Sequence, residues 1–140
     1  MNELAWLVEH RFESVNRREY DWVFVFDKNI TLTVDCLWRL VENGRIRVTS
    51  QDEGQKFGLP SPVIPAEEIN RRLAQSTVTA VELREGLLDL ELHFSTGHVL
   101  QIIPDSSGYE AWHLSDGVRV FIAVGGGELM ICGSKGDANS

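Results

Sequence analysis

Positive charge is scarce in this sequence: 13 Lys and Arg stand against 21 Asp and Glu, giving a net charge of −8. A phosphate backbone would be repelled by most of such a surface. The basic residues are scattered apart from Arg17–Arg18 and Arg71–Arg72. Nucleic-acid binding is therefore not expected, whereas a basic protein partner is compatible. Cysteine is scarce too. Cys36 and Cys132 are the only two and lack C-x-x-C spacing, which argues against zinc and against a disulfide framework. Cys36 continues the apolar alternation of Ile30, Leu32 and Val34 and reads as a small buried hydrophobe. No apolar run approaches the roughly 20 residues that span a bilayer. The opening "MNELAWLVEH" has no basic start or long apolar stretch, so no signal peptide is read. A cytoplasmic protein with reduced thiols and no membrane partner is the expectation.

Hydrophobic residues are not lacking. They make up 43% of 140 residues and include four Trp, enough for one domain with a sizeable core. That domain is expected to span residues 1–132, with a disordered tail, "GSKGDANS", over 133–140.

The chain reads as though written twice. "CLWRLVENGRIRV" (36–48) and "YEAWHLSDGVRV" (109–120) share W-x-L, a polar turn with Gly, and alternating apolar residues. Aligning Leu7 with Leu73 places Phe12 and Val15 over Val78 and Val81. Trp22, Phe24 and Phe26 then fall over Leu90, Leu92 and Phe94, and Trp38 over Trp112. This pattern predicts an α+β fold: two helix-plus-antiparallel-strand repeats, related by a pseudo-twofold, in one β-rich and barrel-like domain. Repeat one would cover about 2–50, a connector about 51–65, and repeat two about 66–131. Helix one is predicted over about 2–9, with Leu4, Leu7 and Val8 on one face. Helix two is predicted over about 66–75, after Pro65 and with acidic residues in its first turn. In "LLDLELHF", Leu88, Leu90, Leu92 and Phe94 share one strand face, and Asp89, Glu91 and His93 share the other. A three-residue Ser95-Thr96-Gly97 loop with Gly97 left-handed keeps Phe94 opposite His98. Asp27-Lys28-Asn29 holds the matching place. Trp38 and Trp112 are predicted as equivalent core anchors.

The search for chemistry is less productive. Asp89, Glu91 and His93 offer metal-type donors, but alternate residues on one strand stand roughly 7 Å apart. One ion would need another strand to contribute, so solvated charge is the expectation, with no metal and no cofactor. Asp105, Ser106, Ser107, Glu110 and His113 include Ser, His and an acid but no nucleophile elbow. Gly125–Gly127 is followed by no Lys-Ser/Thr and reads as a turn before a last strand over 128–131. No catalytic residues are assigned. The connector is long for a compact domain. Its Asp52, Gln55, Lys56 and Phe57, with Ser107, Tyr109, Glu110 and His113, form the candidate ligand or partner loops. The competing reading has Asp and Gly making tight turns while Phe57 and Leu59 plug the core.

"DEGQKFGLP" (52–60) and "SGYEAW" (107–112) resemble an uncharacterised family of small bacterial proteins, a domain of unknown function. Its members show a D-x-G-Q-x-F-G-L-P loop, an S-G-Y-E-x-W segment and a Gly-rich last turn. Asp52, Gly54, Gln55, Phe57, Gly58, Leu59, Gly108, Tyr109, Glu110 and Trp112 carry the resemblance, which spans roughly 7–131. It implies no established activity. Small acidic proteins of this kind are similar to immunity proteins, an association and not a mechanism.

The expected function is a non-catalytic binding protein, immunity-like or regulatory, that captures a basic protein partner through its acidic surface as a monomer or homodimer. The alternative is a small-molecule-binding protein or enzyme, with a pocket between the repeats lined by the two polar loops.

Overall fold

The structure is a computed structural model that describes residues 2–133. The expected tail lies outside the described residues from 134 on. Eleven strands dominate the described residues. In the first half they are β1 (Phe12–Arg17), β2 (Trp22–Phe26), β3 (Ile30–Val34), β4 (Leu37–Glu42) and β5 (Arg45–Thr49). After the connector comes the one α-helix among the described residues, α1 (Pro65–Arg72). It is followed by β6 (Val78–Leu83), β7 (Leu90–Phe94), β8 (Val99–Ile103), β9 (Trp112–Ser115), β10 (Arg119–Val124) and β11 (Glu128–Gly133).

The strands form two antiparallel sheets, a six-stranded one in the order β1-β2-β3-β9-β10-β11 and a five-stranded one in the order β5-β4-β8-β7-β6. This corrects the expected architecture of two helix-plus-strand repeats in a barrel-like domain. The first helix shrinks to a 3-10 turn over Ala5–Leu7. Leu4 and Leu7 are buried there, but Glu9 takes φ 78° and its N–H donates to the Val78 carbonyl, pulling the chain out of the helix. The halves do not stand as repeats either. The hairpin that begins β4 leaves its own half to pair with β8, and β9 pairs with β3. The sheets do not close on each other, so β1, β11, β5 and β6 remain edges.

The registers of the two sheets nonetheless correspond. Phe12 faces Phe26 and Val15 faces Phe24, with a bulge between; Val78 faces Phe94 and Val81 faces Leu92, again with a bulge between. Leu32 opposes Leu114 where Leu100 opposes Leu40. Strand alternation explains the layering. Trp22, Phe24, Phe26, Leu90, Leu92 and Phe94 point inward into one core, which both sheets share. Trp38 and Trp112 lie at 0% and 1% exposure, as core anchors should. The Trp38 ring meets Trp22 edge-on at 5.0 Å between centroids, and Phe24 at 5.7 Å. The Gly97 turn has φ 92°, and the Phe94 N–H donates to the His98 carbonyl at 3.0 Å, as the three-residue loop requires.

α1 starts at Pro65, whose missing N–H costs nothing at the first helical position, and ends at Arg72 rather than near 75. Its Ile69, with Leu73 at the C-cap, is fully buried. Burying each such side chain contributes roughly 1.5–3 kcal/mol. The helix lies against both β1 and β5.

Candidate functional site

β5 follows the Asn43-Gly44 turn, where both residues have positive φ (52° and 75°), as a two-residue hairpin loop requires. It pairs with β4 only. Along its other side runs an open groove of about 700 Å³. Four consecutive β5 residues, Ile46 to Thr49, line it. Successive strand residues point to opposite faces, so a groove touching all four follows the strand's edge.

The connector forms the opposite wall. It is folded by its own backbone: the Gly54 N–H donates to Val63 O at 3.1 Å, Val63 N–H to Gln55 O at 2.8 Å, and Leu59 N–H to Lys56 O at 2.7 Å. Phe57 and Gly58, both at positive φ, make the turn. Ile46, Phe57, Leu59 and Ile64 remain 59%, 68%, 53% and 45% exposed, and all four line the groove. Glu67 and Glu68 stand on its helical side. α1 is pinned there by a charged hub at Glu42. That carboxylate meets Arg72 Nη1 at 3.0 Å, His98 Nε2 at 2.9 Å and Arg47 Nε at 3.6 Å. The hydrogen bond with His98, aided by Arg72, holds the Glu42 carboxyl below its ordinary range.

The residues singled out in the sequence are dispersed. Asp52 lines the groove, but its carboxylate accepts from the Thr49 N–H at 2.9 Å and completes a capping box, a structural task. Phe57 does not plug the core. Gln55 and Lys56 contribute backbone carbonyls to the connector's folding. Ser107 and Tyr109 line a different groove of about 380 Å³, between the 86–88 and 104–111 loops and the glycine turn. Glu110 pairs with His113 at 3.0 Å in neither groove. The two polar loops therefore do not converge on a shared pocket. Ile46, Leu59 and Ile64 were not among the candidates; Ile46 opposes Val41 on β4 like any strand residue, and nothing local marks its edge as open.

Gly125–Gly127 acts through packing. A Cβ on Gly125 would lie 2.4 Å from the Gly108 backbone, and one on Gly127 1.8 Å from Gly86 O. The glycines let three loops meet. Cys36 and Cys132 are both free thiols. Burial, with Asp105 and Asp35 nearby, pushes the Cys36 thiol up to about 12, so it is no nucleophile near neutral pH.

The outer face of the five-stranded sheet carries a transverse polar row in which Glu82, Glu91, Gln101, Arg39 and Thr49 are successive cross-strand partners. The Gln101 amide donates to Glu91 Oε2 at 2.7 Å, and Arg39 Nε donates to Gln101 Oε1.

An open-edged, two-sheet β protein with a groove along one edge is what the geometry defines. The chain belongs to a family of unknown function (DUF6188), whose match spans residues 22–137, in agreement with the resemblance to an uncharacterised family. No curated protein and no solved structure matches it. Among the described residues, no helix is long and apolar enough to cross a membrane.

Proposed function

We propose that this protein works by binding, without turnover: it holds an extended segment of a partner protein along the free edge of β5. The observation that carries this reading is a difference between the sheets. The six-stranded sheet continues past β10 with β11, while the five-stranded sheet stops at β5, the strand in the place corresponding to β10. A guest strand on β5 would occupy the position that β11 takes on β10. Main-chain hydrogen bonds would supply affinity, and pockets for alternate side chains would supply specificity. Five strand residues span roughly 17 Å, so the guest core is about five residues. The exposed apolar quartet suits apolar side chains. Glu68 is already paired with Arg71 and Arg72, but Glu67, with the net charge of −8, suits a basic segment and would speed its encounter. The reading places the protein in the bacterial cytoplasm, in keeping with its two free thiols, in an immunity-like or regulatory role.

The test is selection from a random peptide library on the full chain. Enriched peptides should alternate apolar with Lys or Arg residues and bind Ile46→Glu and Phe57→Glu at least tenfold more weakly. No enrichment, or peptides that bind both variants as well as the parent, would overturn the reading.

A further inference from the structure

The alternation of Asp89, Glu91 and His93 along β7 spaces three donors too widely for one ion, but the neighbouring strand changes the set. β6 carries a bulge between Val78 and Ala80, which moves Glu82 opposite Glu91. Without the bulge Glu82 would oppose Leu90. Glu82 Oε2 then lies 2.9 Å from His93 Nε2, and Glu91 Oε1 lies 3.1 Å from the same nitrogen. The three donor atoms all fall within 4.8 Å of one another.

We propose that Glu82, Glu91 and His93 form a binding site for a first-row divalent transition metal of the zinc type. Two carboxylate oxygens converge on a single imidazole nitrogen, which has at most one proton to give. A cation between the three satisfies them all. The donor spacings support this: a tetrahedral ion with bonds of roughly 2.1 Å needs donors about 3.4 Å apart, the two spacings to His93 Nε2 are within a few tenths of an ångström of that, and the two carboxylates lie within 4.8 Å of each other. One imidazole and two carboxylates suit zinc-type ions better than calcium or magnesium. Like charges directly opposite on adjacent strands are unfavourable, and Glu82 faces Glu91; a bound dication reverses that sign. Glu91 is also oriented from behind, through Gln101 to Arg39, as the outer partners of metal ligands are. The fold does not demand these side chains. The corresponding positions of the six-stranded sheet, in the same register beside the matching bulge, are Asn16, Val23 and Val25. Water would complete the coordination, since Glu82 is exposed, and the ion would rivet the edge strand β6 to β7.

The experiment is a Zn²⁺ titration of the metal-free full chain, carrying no polyhistidine tag, by calorimetry and by NMR of the four histidine rings. The expected result is one equivalent of Zn²⁺ bound, with His93 showing the largest ring shift. Affinity should fall at least tenfold in His93→Ala and in Glu82→Gln, and stay unchanged in Asp89→Asn. The NMR readout needs no variant, so it stands even if a substitution disturbs folding. No binding up to about 1 mM Zn²⁺, or shifts centred on His10, His98 or His113 with His93 unmoved, would overturn the proposal.

Discussion

β1 and β5 are both edge strands and both lie against α1, yet they are finished differently. On β1 the Val15 N–H donates to Asn70 Oδ1 at 2.7 Å, and Asn70 Nδ2 donates back to Val15 O at 3.1 Å. One amide from the helix imitates a neighbouring strand and closes the edge. β6 is treated similarly at the matching residue, where Asn2 Nδ2 donates to Val81 O at 2.9 Å. On β5 no side chain bonds to the backbone of residues 45–48 among the described residues, and the groove runs alongside. β11 is the other edge of the six-stranded sheet, and Leu129, near its start, lines a groove with Gly127 just before it. Unpaired edges invite other strands, and proteins commonly block them. The blocked edges and the open one together support the proposal that β5 receives a partner strand.

The comparison breaks first if the two edges do not hang on one core. Trp38→Ala and Trp112→Ala should each destabilise by about 3–5 kcal/mol in urea unfolding. Trp112→Ala should cost more, because the Trp112 indole donates to Leu88 O at 3.0 Å whereas the buried Trp38 N–H has no partner among the described residues. A small loss at either position would separate that sheet from the shared core.

Unsealing β1 is the next largest effect. Asn70→Ala strands the Val15 N–H and carbonyl and should cost about 1–3 kcal/mol. It should also raise amide exchange in residues 12–17 and promote self-association, visible by sedimentation. Unchanged exchange in β1 would mean that Asn70 does not close the edge.

The sealed side also carries an acid sensitivity. Asp27 pairs with His10 at 2.6 Å and accepts from the Arg11 N–H at 3.1 Å. Burial works to raise its pKa, but these bonds outweigh burial and hold the carboxyl below its ordinary value of 3.8. A carboxyl depressed in the folded state stabilises fully above its unfolded value, and that contribution is lost as pH falls through the folded value. Stability should therefore fall as pH drops below about 4 and through the lower folded value, and Asp27→Asn should flatten that part of the profile. An unchanged profile would remove Asp27 from the account.

The smallest expected effect on stability belongs to the groove. Ile46→Ser should change the stability measured in urea by no more than about 0.5 kcal/mol, as for an exposed site. A large loss would mean that Ile46 supports the fold.

Local features of the fold were legible in the sequence and distant ones were not. The Gly97 turn, the Phe94–His98 register, the two tryptophan anchors and most of α1 follow from periodicity and turn chemistry over a few residues. The exchange of hairpins between sheets depends on which strand meets β8 and β3, and no local pattern encodes that. The first helix failed because Leu4 and Leu7 can be buried by a single 3-10 turn as well as by a helix. Glu82 could have been found. Val78 and Val81 both point inward at a spacing of three, which a regular strand forbids, so a bulge was implied and Glu82 with it. The groove could not be found, since the alternation of β5 looks the same whether its edge is covered or open.

The most direct test of the central claim is amide hydrogen exchange on the full chain with and without a peptide enriched by the library selection. Exchange at residues 45–49 should slow at least tenfold on peptide binding, while residues 12–17, where Asn70 bonds the Val15 backbone, stay unchanged. Protection that falls on β1, on β11 or on an outer sheet face, with residues 45–49 exchanging as before, would contradict it.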